Sequence, residues 1–453
     1  MRSILNFPFC ISEIISALPI ASTTTIPTDT VIRAICTDSR EVRENDLFIA
    51  LDGESGSGEK YVRDAIAKGG FAISTTATEG AIAVDNTRDA LLSIAKAYKS
   101  KTSVKETVAV TGSVGKTTTV KFIRKILEEK YRVHSPYKNF NNHIGVPLTV
   151  FETPKDAYVL VAELGMNHPK EISRLSKCVS PDVGIITAIG TAHIGNLGSR
   201  ENIAAAKLEI LDGMNDGKLL IPYGEPLLSS AKNALTVAKD SSLSSFSLNV
   251  ARGGTYSFHS KNGTTDNIRF FDAREHLLKD LAFAISTAEI LGLSENEIRN
   301  GVERITESDL CQRFIKLSGF TIFDDSYNAS LESISADLKY LKSLGGCYSA
   351  FLGDVLELGS RAATIHEKIG RTAAESGISN LYLIGELAEH TARGAIRGGM
   401  PREHIFINRD ISTPEISIRH IKENHISGET VLFKASHRMR LDKIADILKE
   451  EME

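Results

Sequence analysis

Val108-Ala-Val-Thr-Gly-Ser-Val-Gly-Lys-Thr-Thr-Thr119 is the stretch from which the rest of the chain can be read. Residues 107–110 are apolar and rich in β-branched side chains, the composition of a buried strand. Past Thr117, the residues Val120, Ile123 and Leu127 share one face of a helix. Between strand and helix lies the short GxxGKT form of a phosphate loop. Gly112 and Gly115 let backbone N–H groups close around phosphate oxygens. Lys116 carries a positive charge to the β- and γ-phosphates, Thr117 offers a hydroxyl to Mg²⁺, and the new helix points its positive end at the anion. Val110 stands where the longer GxxxxGK[ST] pattern has its first glycine. The plainer reading is a turn that happens to hold Gly, Lys and Thr. The clean strand before it and the amphipathic helix after it outweigh that reading.

Working outward, the strand-then-helix pattern repeats. Residues 158–163 and 183–187 read as strands, and Ser199 as the N-cap of a helix with Ile203, Leu208 and Leu211 as its apolar positions. Such alternation predicts a mainly parallel sheet with helices on both faces. Towards the N-terminus, residues 46–51 read as a short strand followed by a Gly- and Ser-rich turn, 53–58, in a small mixed α/β unit. The apolar stretch 4–20 is interrupted by Glu13, and Ile11, Ile14, Ile15 and Leu18 share a face of a short packed helix. From Cys311 the alternation restarts. Residues 320–323, 348–352, 381–384 and 431–433 read as strands, and Leu331, Ile334, Leu338 and Leu341 as a helix stripe. The expected fold class is α/β in three domains: 1–84 a small mixed α/β domain, 85–310 a central P-loop domain, and 311–453 a smaller doubly wound, Rossmann-like domain. A ligand between the last two would lie at the carboxyl ends of the strands.

The 453 residues leave room for two to four domains, and 42% hydrophobic residues suffice for a core in each. A net charge of −4 supplies no basic patch for nucleic acid. The five cysteines, Cys10, Cys36, Cys178, Cys311 and Cys347, form no CxxC pair, which fits a reducing cytoplasm better than a disulfide or zinc framework. No apolar run is long enough to span a bilayer. A monomer is the expectation.

Three further residues belong beside the phosphate loop if the sheet is parallel. Glu163 ends a strand, His193 lies just past another, and Lys207 sits on the helix after Ser199. A carboxylate next to a triphosphate is a usual ligand for Mg²⁺. Taken singly, Glu163 could cap a strand, His193 could be a loop histidine and Lys207 a solvated lysine. The combination favours a site.

On these residues the chain resembles the Mur ligases of bacterial cell-wall synthesis. Thr37-Asp-Ser-Arg40 with Asp46-Leu-Phe-Ile-Ala-Leu-Asp-Gly53 resembles their N-terminal domain, and Thr111 to Thr118 matches the TGxxGKTT loop. Asn139-Phe-Asn-Asn-His-Ile-Gly-Val-Pro147, Ala162-Glu-Leu-Gly-Met-Asn167, Ala192-His-Ile-Gly195 and Ala206-Lys-Leu-Glu209 are similar to the central blocks. Asp324-Asp-Ser-Tyr-Asn-Ala329 and Gly353-Asp-Val-Leu-Glu-Leu-Gly359 are similar to the C-terminal ones. The resemblance implies an ATP- and Mg²⁺-dependent ligase that adds D-alanyl-D-alanine to UDP-N-acetylmuramoyl-tripeptide through an acyl-phosphate. It further implies that Gly112, Ser113, Gly115, Lys116, Thr117 and Thr118 hold ATP phosphates. Thr117 and Glu163 would hold one Mg²⁺, and His193 and a carbamate on Lys207 a second. His276, Arg313, Asp325 and Asn328 would reach the nucleotide, with Lys116, His193, Lys207 and Arg313 serving catalysis. Ser39 and Arg40 would contact the UDP part, while Asn141 and Asn142 line the substrate side.

The chain departs from the family pattern at four places. HNxxN reads His276-Leu-Leu-Lys-Asp280, DGH reads Ser57-Gly58-Glu59, KGSR reads Lys434-Ala-Ser-His437, and TNI reads Thr187-Ala-Ile189. Two other functions stay open on sequence: a sibling ligase adding a different amino acid to a carboxylate, and a P-loop ATPase switch, which would want a Walker-B aspartate where Glu163 stands.

Overall fold

The structure is a computed structural model describing residues 1–18, 25–53, 56–136 and 139–452. Residues 19–20 of the N-terminal apolar stretch and 54–55 of the Gly- and Ser-rich turn lie outside the described residues.

Among the described residues three sheets form. The phosphate-loop strand, Glu106–Thr111, lies inside the nine-stranded one, between Val159–Glu163 and Val183–Ile186 and parallel to both. Val108, Val110, Val159, Val161, Val183 and Ile185 face helices on one side, where they share a core with Val120, Phe122, Ile123 and Leu127. A strand covered on both faces cannot alternate polar and apolar residues, which is why these segments read as continuous apolar runs. The predicted ends move by one residue: Tyr158 and Thr187 fall outside their strands. An antiparallel hairpin, Tyr256–Ser260 with Gly263–Ile268, extends one edge of this sheet. No sequence signal foresaw it.

Two helix readings need correction. Ser199 does cap the helix Arg200–Leu208 by accepting from Asn202 N, and Ile203 is buried. Leu211, however, lies beyond it in the 3₁₀ turn Glu209–Gly213 and is 42% exposed, so the apolar stripe is shorter than predicted. At the N-terminus the helix is Ile11–Ala17, with Ile11 and Ile14 buried. The residues before it form the strand Arg2–Cys10, antiparallel to Val31–Cys36 in a five-stranded sheet. Glu13, which breaks the apolar run in sequence, caps this helix by accepting from Cys10 N at 2.8 Å.

The six-stranded C-terminal sheet is parallel except for the edge strand Arg313–Lys316, antiparallel to Phe320–Asp324. Ile334, Leu338 and Leu341 of the helix Leu331–Leu344 are buried beneath it. Among the described residues no helix is long and apolar enough to cross a membrane.

Candidate active site

Register puts the site together. Val110 pairs with Glu163 on one side and Ile185 on the other, so the loop, Glu163 and the chain after Ile186 all leave the sheet at one edge. Glu163 is buried, 3% exposed, and two side chains are aimed at it. Thr117 Oγ1 donates to Oε2 at 2.8 Å and Asn141 Nδ2 donates to Oε1 at 2.9 Å. A hydroxyl beside a carboxylate is an oxygen donor set of the kind a hard divalent cation takes, with phosphates and water completing its shell. Among the described residues no group of three or more His, Cys, Asp or Glu is placed to hold a metal by itself. The fit is therefore to an ion shared with a phosphate.

The loop itself is braced. Ser113 N donates to Ala188 O at 2.9 Å, and Ser113 Oγ accepts from Gly190 N at 2.9 Å. Thr187 Oγ1 donates to Val114 O. Ser113 thus fastens the loop to the neighbouring segment through both its backbone and its hydroxyl. Gly115 has φ 85° at the N-cap of the helix Lys116–Leu127, and a Cβ there would lie 2.4 Å from Asp280 Oδ1. Both the backbone angle and the space require glycine.

Among the described residues Lys116 Nζ donates only to Gly112 O, at 2.9 Å; burial lowers its pKa, and Glu163 partly restores it. Lys207 is not a solvated helix lysine. It is 2% exposed, and it has no hydrogen bond or ion pair among the described residues. Burial, then the charge of Lys116, pushes its pKa well below that of an ordinary lysine. Such an amine has a populated neutral form, the form that can react with carbon dioxide. His193 begins the one-turn helix Ile194–Leu197, and its Nδ1 lies 2.5 Å from Glu357 Oε2 on the C-terminal unit.

A cavity of about 350 Å³ runs from Lys116, Thr117 and Thr118 across to the C-terminal sheet. His276, Asp280, Asp325 and Asn328 line it. Burial, then Arg274, pushes the His276 imidazole down to about 4, and its Nε2 is buried without a partner among the described residues. Burial raises the Asp280 carboxyl well above the ordinary range, against a hydrogen bond from Thr119 Oγ1 at 3.1 Å. Asp325 is buried yet stays low because Lys434 and Gln312 donate to it.

Of the residues expected at the nucleotide, Arg313 is not among those that line this cavity. Arg313 is turned away: its Nε lies 2.6 Å from Asp324 Oδ2 and its Nη2 3.0 Å from Asp446 Oδ1, on the exposed edge strand. Gln312 and Lys434 occupy the wall instead. Asn142 Oδ1 accepts from Ile144 N and Gly145 N, starting the helix Gly145–Phe151. Ser39 and Arg40 lie on a 3₁₀ turn of the five-stranded unit, where the Arg40 guanidinium holds Asp38 far below its ordinary range. Glu59, in place of the DGH histidine, accepts from Ser74 Oγ and from Thr75 N, both at 2.7 Å.

Tyr327 and Glu357 are not singled out by the sequence, and Asp280 stands there only as a departure from HNxxN. Tyr327 reaches from the C-terminal unit to the Thr117 hydroxyl, and burial, then Glu163, raises its phenol. Its signal is the segment Asp324 to Ala329, from which the resemblance singles out Asp325 and Asn328 but not the tyrosine between them.

Residues 110–282 match the Mur ligase middle domain. The UDP-N-acetylmuramoyl-tripeptide–D-alanyl-D-alanine ligase of Bacillus subtilis (strain 168) is 34% identical over 436 residues, covering 93% of this chain and 94% of that protein. The Synechocystis enzyme of the same name is 29% identical, covering 95% of each. A crystal structure of MurF from Acinetobacter baumannii superposes with a TM-score of 0.87 at 26% identity, over 99% of this chain and 100% of that one. Sequence kinship along nearly the whole length, with a matching three-sheet fold around the phosphate loop, means that the chain belongs to the UDP-N-acetylmuramoyl-tripeptide–D-alanyl-D-alanine ligase family of Mur ligases.

Proposed function

We propose that the protein uses ATP to join D-alanyl-D-alanine to UDP-N-acetylmuramoyl-tripeptide, releasing ADP and phosphate, in the assembly of the peptidoglycan precursor. The observation that carries this reading is the chain Asn141–Glu163–Thr117 beside Lys116, in a relative of these ligases matched over nearly its whole length. The tripeptide carboxylate attacks the γ-phosphorus and ADP leaves. The dipeptide amine then attacks the acyl carbon of the acyl-phosphate, phosphate leaves, and the nitrogen gives up a proton. Both reactants of the first step are anionic, so cationic groups must offset their charge. Lys116, whose ammonium donates to a backbone carbonyl, does so at the phosphate loop.

Thr117 and Glu163 would hold Mg²⁺, and His193 with a carbamylated Lys207 a second ion. Bound there, the ions supply further charge offset at the phosphate oxygens. Gly112, Gly115 and Thr118 contact phosphate, while His276, Asp325 and Asn328 serve the rest of the nucleotide. Ser39 and Arg40 receive the UDP part on the five-stranded unit. Arg313 would have to leave Asp324 and Asp446 to reach ATP. The division at about residues 84 and 310 is supported by three sheets lying within residues 2–83, 106–268 and 313–434. Five cysteines without a disulfide among them support a reducing cytoplasm.

The test is phosphate release by the purified protein with ATP and Mg²⁺, with and without each peptide substrate, the product being weighed by mass spectrometry. Release that requires both, with a gain of one dipeptide minus water, is expected. ATP hydrolysis indifferent to both would exclude this reaction.

A further inference from the structure

The bond between His193 and Glu357 joins two residues that are unusual before they meet. Both have left-handed backbones, φ 63° in each, and neither is glycine. Side chains with a Cβ rarely adopt that conformation, and it persists where surrounding structure fixes it. Here each side holds the other. Gly195 N donates to Glu357 O at 3.0 Å, and a Cβ on Gly195 would lie 2.4 Å from Gly359 N, so the two chains touch through backbone. Thr191 Oγ1 donates to Glu332 Oε2 at 3.0 Å beside them. Every one of these contacts links the central unit to the C-terminal unit. Glu357 therefore reaches His193 only when the C-terminal unit is docked.

An ionised carboxylate can only accept, so the proton of the 2.5 Å bond lies on Nδ1 of the imidazole. A neutral ring protonated at Nδ1 carries its lone pair on Nε2. We infer that Glu357 is a positioning residue: docking of the C-terminal unit fixes the Nδ1–H tautomer of His193 and leaves Nε2 as its free lone-pair nitrogen. The inference rests on the proposed reading only in giving His193 work to do at the phosphate edge. Whatever Nε2 meets there, a phosphate-bound ion or a substrate proton, it is presented in usable form only in the docked arrangement. The central unit alone leaves the ring free to carry its proton on Nε2.

The backbone contacts do not involve the Glu357 side chain, and this separates orientation from docking. The full-length protein, labelled with ¹⁵N-histidine and assigned with His193→Gln, reports the tautomer directly from the two ring nitrogen shifts. Wild type should show Nδ1 protonated and Nε2 bare. Glu357→Ala should move the proton to Nε2 in a large fraction of molecules, and Glu357→Gln, which keeps an acceptor, in fewer. Solution X-ray scattering should show the same dimensions for all three. In turnover, loss of a partner that orients a functional histidine typically costs 10–100-fold. Glu357→Ala should lower kcat by about that factor with the KM for ATP within about threefold, and should cost nothing further in a His193→Ala background. An unchanged tautomer in Glu357→Ala overturns the inference. So does an expanded scattering profile, which would make the side chain a docking element, and so do losses that multiply in the double variant. If the ligase reaction itself fails with these substrates, the tautomer measurement still stands or falls by itself.

Discussion

The two ends of the nucleotide cavity treat charge in opposite ways. At the phosphate end, charge is left uncommitted. Among the described residues Lys116 has one backbone carbonyl as its hydrogen-bond partner. At the far end, charge is cancelled within the protein. Lys434 is buried between Asp325 and Asp337, and burial pushes the His276 imidazole down to about 4. The first arrangement costs folding stability and reserves attraction for an anion that arrives later. The second contributes to the fold and offers a ligand mostly shape and neutral hydrogen-bonding atoms. Of the four departures from the family pattern, those at His276 to Asp280 and at Lys434 put residues in the cavity wall, Glu59 lies on the five-stranded unit, and Thr187 both lines the cavity and braces the phosphate loop. A protonated carboxyl at Asp280 would present an acceptor and a donor, as an amide does.

The contrast can be broken most directly at Lys116. Lys116→Ala removes the uncommitted charge and should lower product formation by roughly 10³-fold or more, with melting temperature unchanged or higher. Substantial retained ligation would place the phosphate charge offset elsewhere. Lys434→Met tests the other end. It strips the partner from two buried carboxylates and should destabilise the protein by roughly 3 kcal/mol in denaturant titration. The figure sits at the low side because burial already drives Asp337 up to about 8, so that carboxyl can take up a proton. A variant of wild-type stability would mean that the cluster is not holding the fold.

Lys207→Ala should cost about 10²-fold in turnover and recover in part with added short-chain carboxylate, which replaces the carbamate oxygen. No recovery in a folded variant would weaken the carbamate reading. The smallest effect is expected from Asp280→Asn, with the KM for ATP within about threefold of wild type. Its stability signature has a defined sign. A carboxyl whose folded pKa is raised holds its proton in the folded state while the unfolded chain loses it above 3.8. Wild type should therefore lose stability relative to Asp280→Asn as pH rises from 3.8 toward the raised folded value. Parallel stability curves for the two proteins would mean that Asp280 is ionised in place.

What was legible in the sequence was what depends on neighbours along the chain. The strand Leu381–Ile384 was read to the residue, and the loop and its helix nearly so, because burial on both faces and a 3.6-residue stripe leave local patterns. Glu163 and Thr117 could be expected at one edge because a parallel sheet brings strand ends together. The edge hairpin at 256–268 was missed because its residues are half exposed and follow neither pattern cleanly. Arg2–Cys10 was absorbed into the helix that follows because its apolar residues continue the same run. The environments of Lys207, Arg313 and Glu357 depend on residues that are distant in sequence. No local pattern records that Lys207 is buried, that Arg313 turns to Asp446, or that Glu357 crosses to His193.

The bracing of the phosphate loop by Ser113, Thr187 and Gly190 also bears on where ligand recruitment finds resistance. A cradle already fixed by its own protein contacts surrenders little freedom when a triphosphate enters, so that contact is retained as affinity rather than used up in ordering the chain. Compounds that mimic the phosphates meet a nearly rigid mould and must match it closely. Compounds that wedge into the seam between the central and C-terminal units meet a different surface, where the His193–Glu357 and Thr191–Glu332 bonds stand beside Arg274 stacked on Tyr340 and a Gly195–Gly359 contact.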